Sequence, residues 1–305
     1  MNDGSTDETG AIADGFAARY PDQVQVIHQE NGGHGEGVNQ GLRHATGMYF
    51  IVVDSDDWLD ADALDALLVQ LRASAASQEP IDMYVCNYVY EHTTDDTRHV
   101  VHYRNALPVN RPFAWEEIGH FRPSQFMIMH AVVYRTEVLR AAALELPRHT
   151  FYVDNVFVYT PLPYVKRLYY LDVDLYRYFI GRADQSVNEE NMIRRVDQQL
   201  RVTRIILEAH DLQAIEQENK RLAAYMYHFL SIMLMISTIY LMMSGTDENL
   251  SKKRALWQEM KERCPGVYRR MRYRSANVCF LLPGKVGRDI DIFFYKLAKK
   301  IYKFS

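Results

Sequence analysis

The chain has 305 residues, 48% of them apolar, 24% charged and 12% aromatic, which supports a sizeable core in one large or two modest domains and excludes a disordered or fibrous protein. Three cysteines, Cys86, Cys264 and Cys279, are too few and too far apart for a disulfide framework or a C-x-x-C metal site, and read as small buried hydrophobes in a reducing compartment. The formal net charge of −4 is uneven: residues 251–305 carry 15 Lys/Arg against 4 Asp/Glu, leaving 20 against 35 in the rest. A basic tail on an acidic body points to an anionic partner, either nucleic acid or the cytoplasmic leaflet of a membrane.

Residues 1–10 are polar and acidic, unlike a signal peptide, so the expected location is cytoplasmic. Ser5-Thr6-Asp7-Glu8 has the form of a capping box and predicts a helix to about Tyr20. Val24, Val26 and Ile27 predict a short strand. Asn31-Gly32-Gly33-His34-Gly35 predicts a loop in which glycine admits positive φ. A helix from about Gly37 is expected to end near Gly47, acting as the glycine just past its C-terminus. The apolar run Tyr49 to Val53 predicts a strand buried on both faces of a parallel sheet, with Asp54 to Asp57 at its carboxyl end. Leu64, Leu67, Leu68 and Leu71 trace one face of the next helix. Further strands are expected at 83–90, 99–103 and 131–134, with a closing pair at 168–171 and 175–179. From Asn188 onward the segments read as helical.

Alternating strands and helices predict an α/β fold, in which ligands bind beyond the carboxyl ends of strands. The change of character near Ser186 divides the chain into residues 1–186 and a helical region, 187–305.

Three acidic positions carry candidate chemistry. Asp3 lies in the turn Asn2-Asp3-Gly4-Ser5. Asp54-Ser55-Asp56-Asp57 follows a buried strand, and carboxylates packed so densely repel one another unless a cation sits among them. Hard oxygen ligands of that kind suit Mn2+ or Mg2+ with substrate phosphates. Spacing alone equally allows a solvated acidic turn with Asp57 or Asp60 capping the next helix. Asp154 lies in the apolar stretch 151–157, where burial raises a carboxyl toward the range of a general base; the alternative is that it caps a helix beginning near Asn155.

The runs Asn2-Asp3-Gly4-Ser5-Thr6-Asp7, Gln29-Glu30-Asn31-Gly32-Gly33, Gly37-Val38-Asn39-Gln40-Gly41-Leu42, Ala45-Thr46-Gly47 and Val53-Asp54-Ser55-Asp56-Asp57-Trp58-Leu59 together resemble family 2 glycosyltransferases, over roughly residues 1–186. The resemblance implies a GT-A fold, a mixed sheet flanked by helices. It also implies inverting, metal-dependent transfer from a nucleotide-sugar, most readily a UDP-sugar, in cell-surface polysaccharide or glycolipid synthesis. Asp3 would contact the uracil or ribose, Asp54 would lie near the ribose and pyrophosphate, and Asp56 would bind the metal. Gly32, Gly33 and Asn39 would line the nucleotide and sugar pocket. Asp154 would be the base that deprotonates the acceptor hydroxyl, although Val153 precedes it where the family typically has a second acid. Residues 178–186 resemble the family's loop over the nucleotide, with Arg182 on the diphosphate or simply at the surface. His130 reads as a structural histidine rather than a catalytic one.

The family's domain ordinarily opens with a strand, a loop, a helix and a second strand before the Asn-Asp-Gly-Ser turn. Their absence here sets the expectation of a misplaced start at a valine codon, and of an incomplete domain that folds poorly or is inactive alone.

Leu222 to Thr246 holds no Lys, Arg, Asp or Glu. Its length suits a membrane span, but His228, Ser231, Ser237, Thr238 and three tyrosines favour a buried bundle helix. The tail 285–305 sets apolar residues at helical spacing beside lysines. It reads either as an interfacial helix on an anionic membrane surface, at the inner face of the plasma membrane, or as a helix covering the bundle. Expected partners are therefore a nucleotide-sugar donor, a glycan or lipid-linked acceptor and an anionic membrane, and not nucleic acid. The rival function is a non-catalytic, transferase-like binding or scaffold module. A phosphotransferase using Asp54 as nucleophile is disfavoured by Trp58 after Asp57.

Overall fold

The structure is a computed structural model that describes residues 1–92, 97–180, 189–282 and 284–302. Strand β1 (Asn2–Asp3) pairs in parallel with β2 (His28–Gln29) in a short ribbon, and α1 (Thr9–Arg19) connects them. The predicted capping box does not form: the Ser5 amide donates to the Asn2 side chain at 3.1 Å and the Thr9 amide to Asp7 at 3.0 Å. These local side-chain bonds hold the backbone in a turn, so the helix starts at Thr9. The predicted strand at 24–27 is likewise displaced, its ladder forming at His28–Gln29.

Helix α2 (His34–His44) begins earlier than the sequence suggests, because Gly33 at φ 80° turns the chain directly into it. It ends at Ala45 in extended backbone, so the left-handed glycine cap expected at Gly47 is not used.

The remaining strands are β3 (Tyr49–Phe50), β4 (Trp58–Leu59), β5 (Met83–His92), β6 (Thr97–Val101), β7 (Pro112–Phe113), β8 (Val132–Arg135) and β9 (Leu168–Ile180). They form one mixed sheet in the order β3-β8-β5-β9-β4, with β6 added to β5 and β7 to β9. Among the described residues only its β5–β9 ladder is parallel. The expectation of a doubly buried parallel strand at 49–53 is corrected: β3 is a two-residue edge strand, antiparallel to β8, and Val53 is exposed. An edge strand is covered less than a central one, whatever its own hydrophobicity.

The closing pair expected at 168–179 is one continuous strand. Asp172 and Asp174 do not break β9, because Asn87, at a register shift in β5, donates to both carboxylates at 3.0 and 2.9 Å. Arg104 pairs with Asp172 at 2.6 Å as well.

Helix α3 (Ala61–Ala75) is capped by Asp60, whose carboxylate accepts the Ala63 amide at 3.1 Å. Its Leu67 packs into one face of the sheet with Tyr84, Cys86, Val133 and Leu171. Short helices α4 (Thr136–Ala141) and α5 (Asp154–Tyr159) precede the helical region. That region comprises α6 (Glu189–Arg194), α7 (Val196–Glu208), α8 (Leu212–Glu218), α9 (Lys220–Met243), α10 (Asp247–Arg263), α11 (Pro265–Tyr273) and α12 (Gly284–Tyr302).

Helix α9 is long and apolar enough to cross a membrane, yet 78% of its most apolar window is buried inside the protein. Its polar side chains are matched there: the Tyr225 hydroxyl accepts from the Met127 amide at 2.9 Å, Thr238 accepts from Trp257 at 3.1 Å, and Ser237 meets Thr203 at 2.8 Å. One core cluster joins the second sheet face to α5, α7, α9, α10 and α11. At ~1.5–3 kcal/mol per large apolar side chain, this continuous core anchors the sheet to the helices. Of the cysteines only Cys86 is buried; Cys264 is half-buried and Cys279 exposed, so the reading as core hydrophobes holds for one of them.

Candidate active site

Asp3 is the anchor of the first loop. Its carboxylate accepts the Gln29 side chain at 2.6 Å and the backbone amides of Gly32 and Gly33 at 2.7 and 2.8 Å. Burial pushes its pKa up, but those donors and nearby His149 outweigh it and hold the carboxyl below its ordinary value. The loop is also pressed from the other side. The Gly32 carbonyl accepts from the His149 amide at 2.8 Å, and a Cβ at Gly33 would stand 3.1 Å from that same nitrogen. His149 and Tyr152 both have positive φ, 49° and 65°, so the turn leading to Asp154 is strained backbone held by its surroundings.

Asn39, one turn along α2, is buried. Its side chain donates to the Leu146 carbonyl at 2.9 Å and accepts the Leu146 amide at 2.8 Å. It therefore ties α2 to the 146–149 segment, and both ends of its amide are used in doing so.

The acidic cluster folds against β9. After β3 the chain runs extended to Asp54 and turns at Ser55-Asp56, with the Asp57 amide donating to the Asp54 carbonyl at 3.1 Å. Tyr176 sits between the two acids: its hydroxyl donates to Asp57 Oδ2 at 2.8 Å and accepts the Asp54 amide at 3.1 Å. The Phe179 amide reaches Asp57 Oδ1 at 2.9 Å. Burial raises Asp57 to about 6 against the pull of Phe179 and Tyr176, with the charges of Asp56 and Asp54 adding to the rise.

His130 closes the cluster. It is buried, its ring lies 4.4 Å from Tyr176 and 4.6 Å from Tyr178, and its Nδ1 has no hydrogen-bond partner among the described residues. Burial lowers its pKa to about 4 despite the attraction of Asp54, so near neutral pH it is an uncharged imidazole with a lone pair to offer. Ligand atoms of Asp54, Asp57 and His130 all lie within 4.8 Å of one another. Asp56, the metal ligand implied by the resemblance, is exposed in the turn and is not in this convergent set.

His34, the first residue of α2, places Nε2 3.0 Å from Asp54 Oδ1. Burial lowers its pKa, but the hydrogen bond and charge of Asp54, with Asp154 and Asp3, raise it overall. In return, His34 holds Asp54 below its ordinary value against the effect of burial. Asp154 opens α5 as its first helical residue, so it lies within the helix, one place past the Val153 cap position. Burial lifts its carboxyl to about 6, His34 pulls it down and Asp54 pushes it up.

The structure thus brings Asp54, Asp57 and His130 together with His34 bonded to Asp54 and Asp154 within its electrostatic reach, while Asp3 holds the Gly32–Gly33 loop that leads into His34 and Asn39 ties α2 to Leu146. Arg182 lies outside the described residues. From sequence Asp57 was weighed as a helix cap within the cluster and His130 was read as structural, so neither was named as a ligand. Asp57 had a signal in the density of the cluster, whereas a lone histidine before a strand carries none.

Residues 1–139 match the model of Glycosyl transferase family 2. Over that stretch, 139 of its 305 residues, the chain is similar to that family. The chain is 29% identical over 181 residues to the uncharacterized glycosyltransferase EpsJ of Bacillus subtilis, covering 58% of this chain and 51% of EpsJ. It is 24% identical to the putative glycosyltransferase EpsH of the same organism, over 86% of this chain and 71% of EpsH. The chain spans about half the length of EpsJ. Among solved structures, residues 1–349 of S. aureus TarS, in complex with UDP-GlcNAc, superpose with a TM-score of 0.61 at 18% identity, covering 99% of this chain and 80% of that one. The likeness speaks to the fold, which is of the GT-A type, with a mixed sheet and a helical C-terminal region. The family match ends at residue 139, so Asp154 lies beyond it.

Proposed function

We propose that the chain transfers a sugar from a nucleotide-sugar, most readily a UDP-sugar, to an acceptor hydroxyl, with inversion at the anomeric carbon, during synthesis of a cell-surface polysaccharide or glycolipid. The observation that carries this reading is the convergence of Asp54, Asp57 and His130 within 4.8 Å, electrostatically coupled through Asp54 to Asp154. TarS, which shares the fold, is described in complex with UDP-GlcNAc.

Two carboxylates and a neutral imidazole suit Mn2+ or Mg2+, with the nitrogen ligand favouring Mn2+. The buried Nδ1 of His130, without a partner among the described residues, fits a site that takes a ligand, since buried polar atoms ordinarily have partners. Asp54, Asp57 and His130 would hold the ion, with Asp56 at the turn as a further candidate. When bound, such an ion neutralises the charge of the departing diphosphate.

The chain's own residues do the rest. Asp3 acts by fixing the Gly32–Gly33 loop, which lines the nucleotide pocket, because its carboxylate oxygens already accept three donors from the loop and Gln29. Asp154 takes the proton of the acceptor hydroxyl as that oxygen attacks the anomeric carbon opposite the leaving diphosphate, a single displacement that inverts the centre. A carboxyl at about 6 is deprotonated at neutral pH yet basic enough for the task. His34 stabilises the anionic state of both Asp54 and Asp154. Arg182 is retained as a diphosphate contact from the family resemblance. The acceptor is a glycan or a lipid-linked sugar at the cytoplasmic face of the membrane.

Thermal shift with UDP and Mn2+ tests the site: a rise in Tm that Asp57→Ala and His130→Ala each abolish is expected. No rise with any nucleoside diphosphate, with or without metal, overturns the proposal. Binding without turnover of any nucleotide-sugar would favour the non-catalytic module instead.

A further inference from the structure

Helix α12 is packed on one side only. Gly287 and Asp291 are buried, Ile292 packs against the core, and the Tyr295 hydroxyl meets that of Tyr240 on α9 at 3.1 Å. On the other side Val286, Ile290, Phe293, Phe294 and Leu297 are 73%, 40%, 62%, 54% and 42% exposed. At about 100° of rotation per residue, these five fall within an arc of about 100°, a single stripe. Large apolar residues exposed singly are ordinary, but a contiguous stripe of them marks an interaction surface.

Around the stripe cations outnumber acids, exposed Asp289 being paired with Arg288 at 4.0 Å. Lys285 and Lys296 are exposed on the same helix. The chain entering α12 contributes Leu281 to a cleft of about 670 Å3 that is also lined by Lys253, Arg254, Lys261 and Arg272. None of these four forms an ion pair among the described residues. Lys253 is pulled below its ordinary pKa, first by burial and then, against the opposing charge of Asp291, by Arg288 of α12 and Arg272. Through Leu281 and Arg288 the cleft adjoins the packed side of α12 near its start. The cleft shares no lining residue with the carboxylate site.

We propose that the outer face of α12, with this cationic cleft beside it, docks the protein onto a membrane leaflet bearing anionic phospholipids, the helix lying in the interface. Apolar stripe and flanking cations together fit that occupant, the stripe entering the acyl boundary and the cations meeting lipid phosphates. A second copy fits less well, because a two-fold pairing of this face would set each cationic field against its own image. The proposal deepens, and for its purpose rests on, the reading of a membrane-borne acceptor, but docking is measured with no donor or acceptor present.

The test is co-sedimentation of the full chain with phosphatidylcholine vesicles, with and without phosphatidylglycerol, at low and high salt. Binding is expected only with phosphatidylglycerol, weakening with salt. The double variant Phe293→Ser/Phe294→Ser should bind about tenfold more weakly or worse, with Tm and sugar transfer to a soluble acceptor unchanged. Phe16→Ser, an equally exposed phenylalanine on α1 (53%), should bind as the parent does. No sedimentation with anionic vesicles overturns the proposal, as does equal, salt-insensitive binding to pure phosphatidylcholine. A vesicle-free dimer that the double variant dissolves overturns it in favour of self-association. Failure of sugar transfer leaves the vesicle result standing, and the reverse holds too, so the two readings fail separately.

Discussion

Replacing Asp154 with Asn should make the protein more stable and nearly inactive at once. The carboxyl is lifted from 3.8 to about 6, and a shift of about two units corresponds to ~3 kcal/mol held against the charged form. The folded state binds this proton more tightly than the unfolded state. The group's favourable contribution is therefore present below about pH 4 and lost as pH rises through 6. At pH 7.5 the native protein carries the full burden of a half-buried charge, and Asn removes it. With an unfolding entropy of roughly 2.1 cal/mol/K per residue, ~3 kcal/mol corresponds to about 5 °C for a chain of this size. Differential scanning fluorimetry should show Asp154→Asn melting about 5 °C higher at pH 7.5, with the gap closing toward pH 4. Transfer from the donor should fall about 100- to 10,000-fold, and the parent's own rate should fall as pH drops through 6. An unchanged or lower Tm at pH 7.5 would refute the burial account, and a full transfer rate would refute the role as base.

Other consequences follow from the same geometry. Asp57→Asn should retain the fold but weaken Mn2+-dependent UDP binding by about tenfold or more in calorimetry, whereas Asp56→Asn should have the smaller effect if His130 and Asp57 are the ligands. Asp3→Asn should lower stability by about 1.5–3 kcal/mol at neutral pH through its weakened bonds to Gly32 and Gly33. Because Asp3 is held below its ordinary pKa of 3.8, that difference should be full at pH 7 and shrink as pH falls progressively below 3.8, which a urea-unfolding pH series would reveal. Tyr176→Phe should destabilise by about 1–3 kcal/mol, since it strips a partner from both the Asp54 amide and the Asp57 carboxylate. It should also move the pH at which metal binds upward, as Asp57 loses a donor.

Much of the architecture was legible where the cause is local. The leucines of α3, the long apolar α9 and the strand at Met83–His92 follow from periodicity and run length. What failed depended on distant residues. An apolar run at 49–53 looks the same at a sheet's centre and at its edge, and only the neighbours of β3 decide. Asp172 and Asp174 looked like a turn because their partners Asn87 and Arg104 stand 85 and 68 positions away from Asp172. The acidic cluster was visible, but which carboxylates converge depends on Tyr176, 119 positions beyond Asp57. The sequence also does not reveal that the polar atoms of Asn39 and Asp3 serve Leu146, Gly32 and Gly33.

Strand β4 has a practical consequence. Trp58, immediately after Asp57, is 46% exposed, while the other two tryptophans, Trp115 and Trp257, are 2% and 8% exposed. A solvated indole emits to the red of a buried one, so the long-wavelength edge of the protein's fluorescence belongs mainly to Trp58. The molecule carries an intrinsic optical reporter one residue from its carboxylate cluster, and a paramagnetic ion settling there would darken that edge first, leaving the buried indoles as an internal reference.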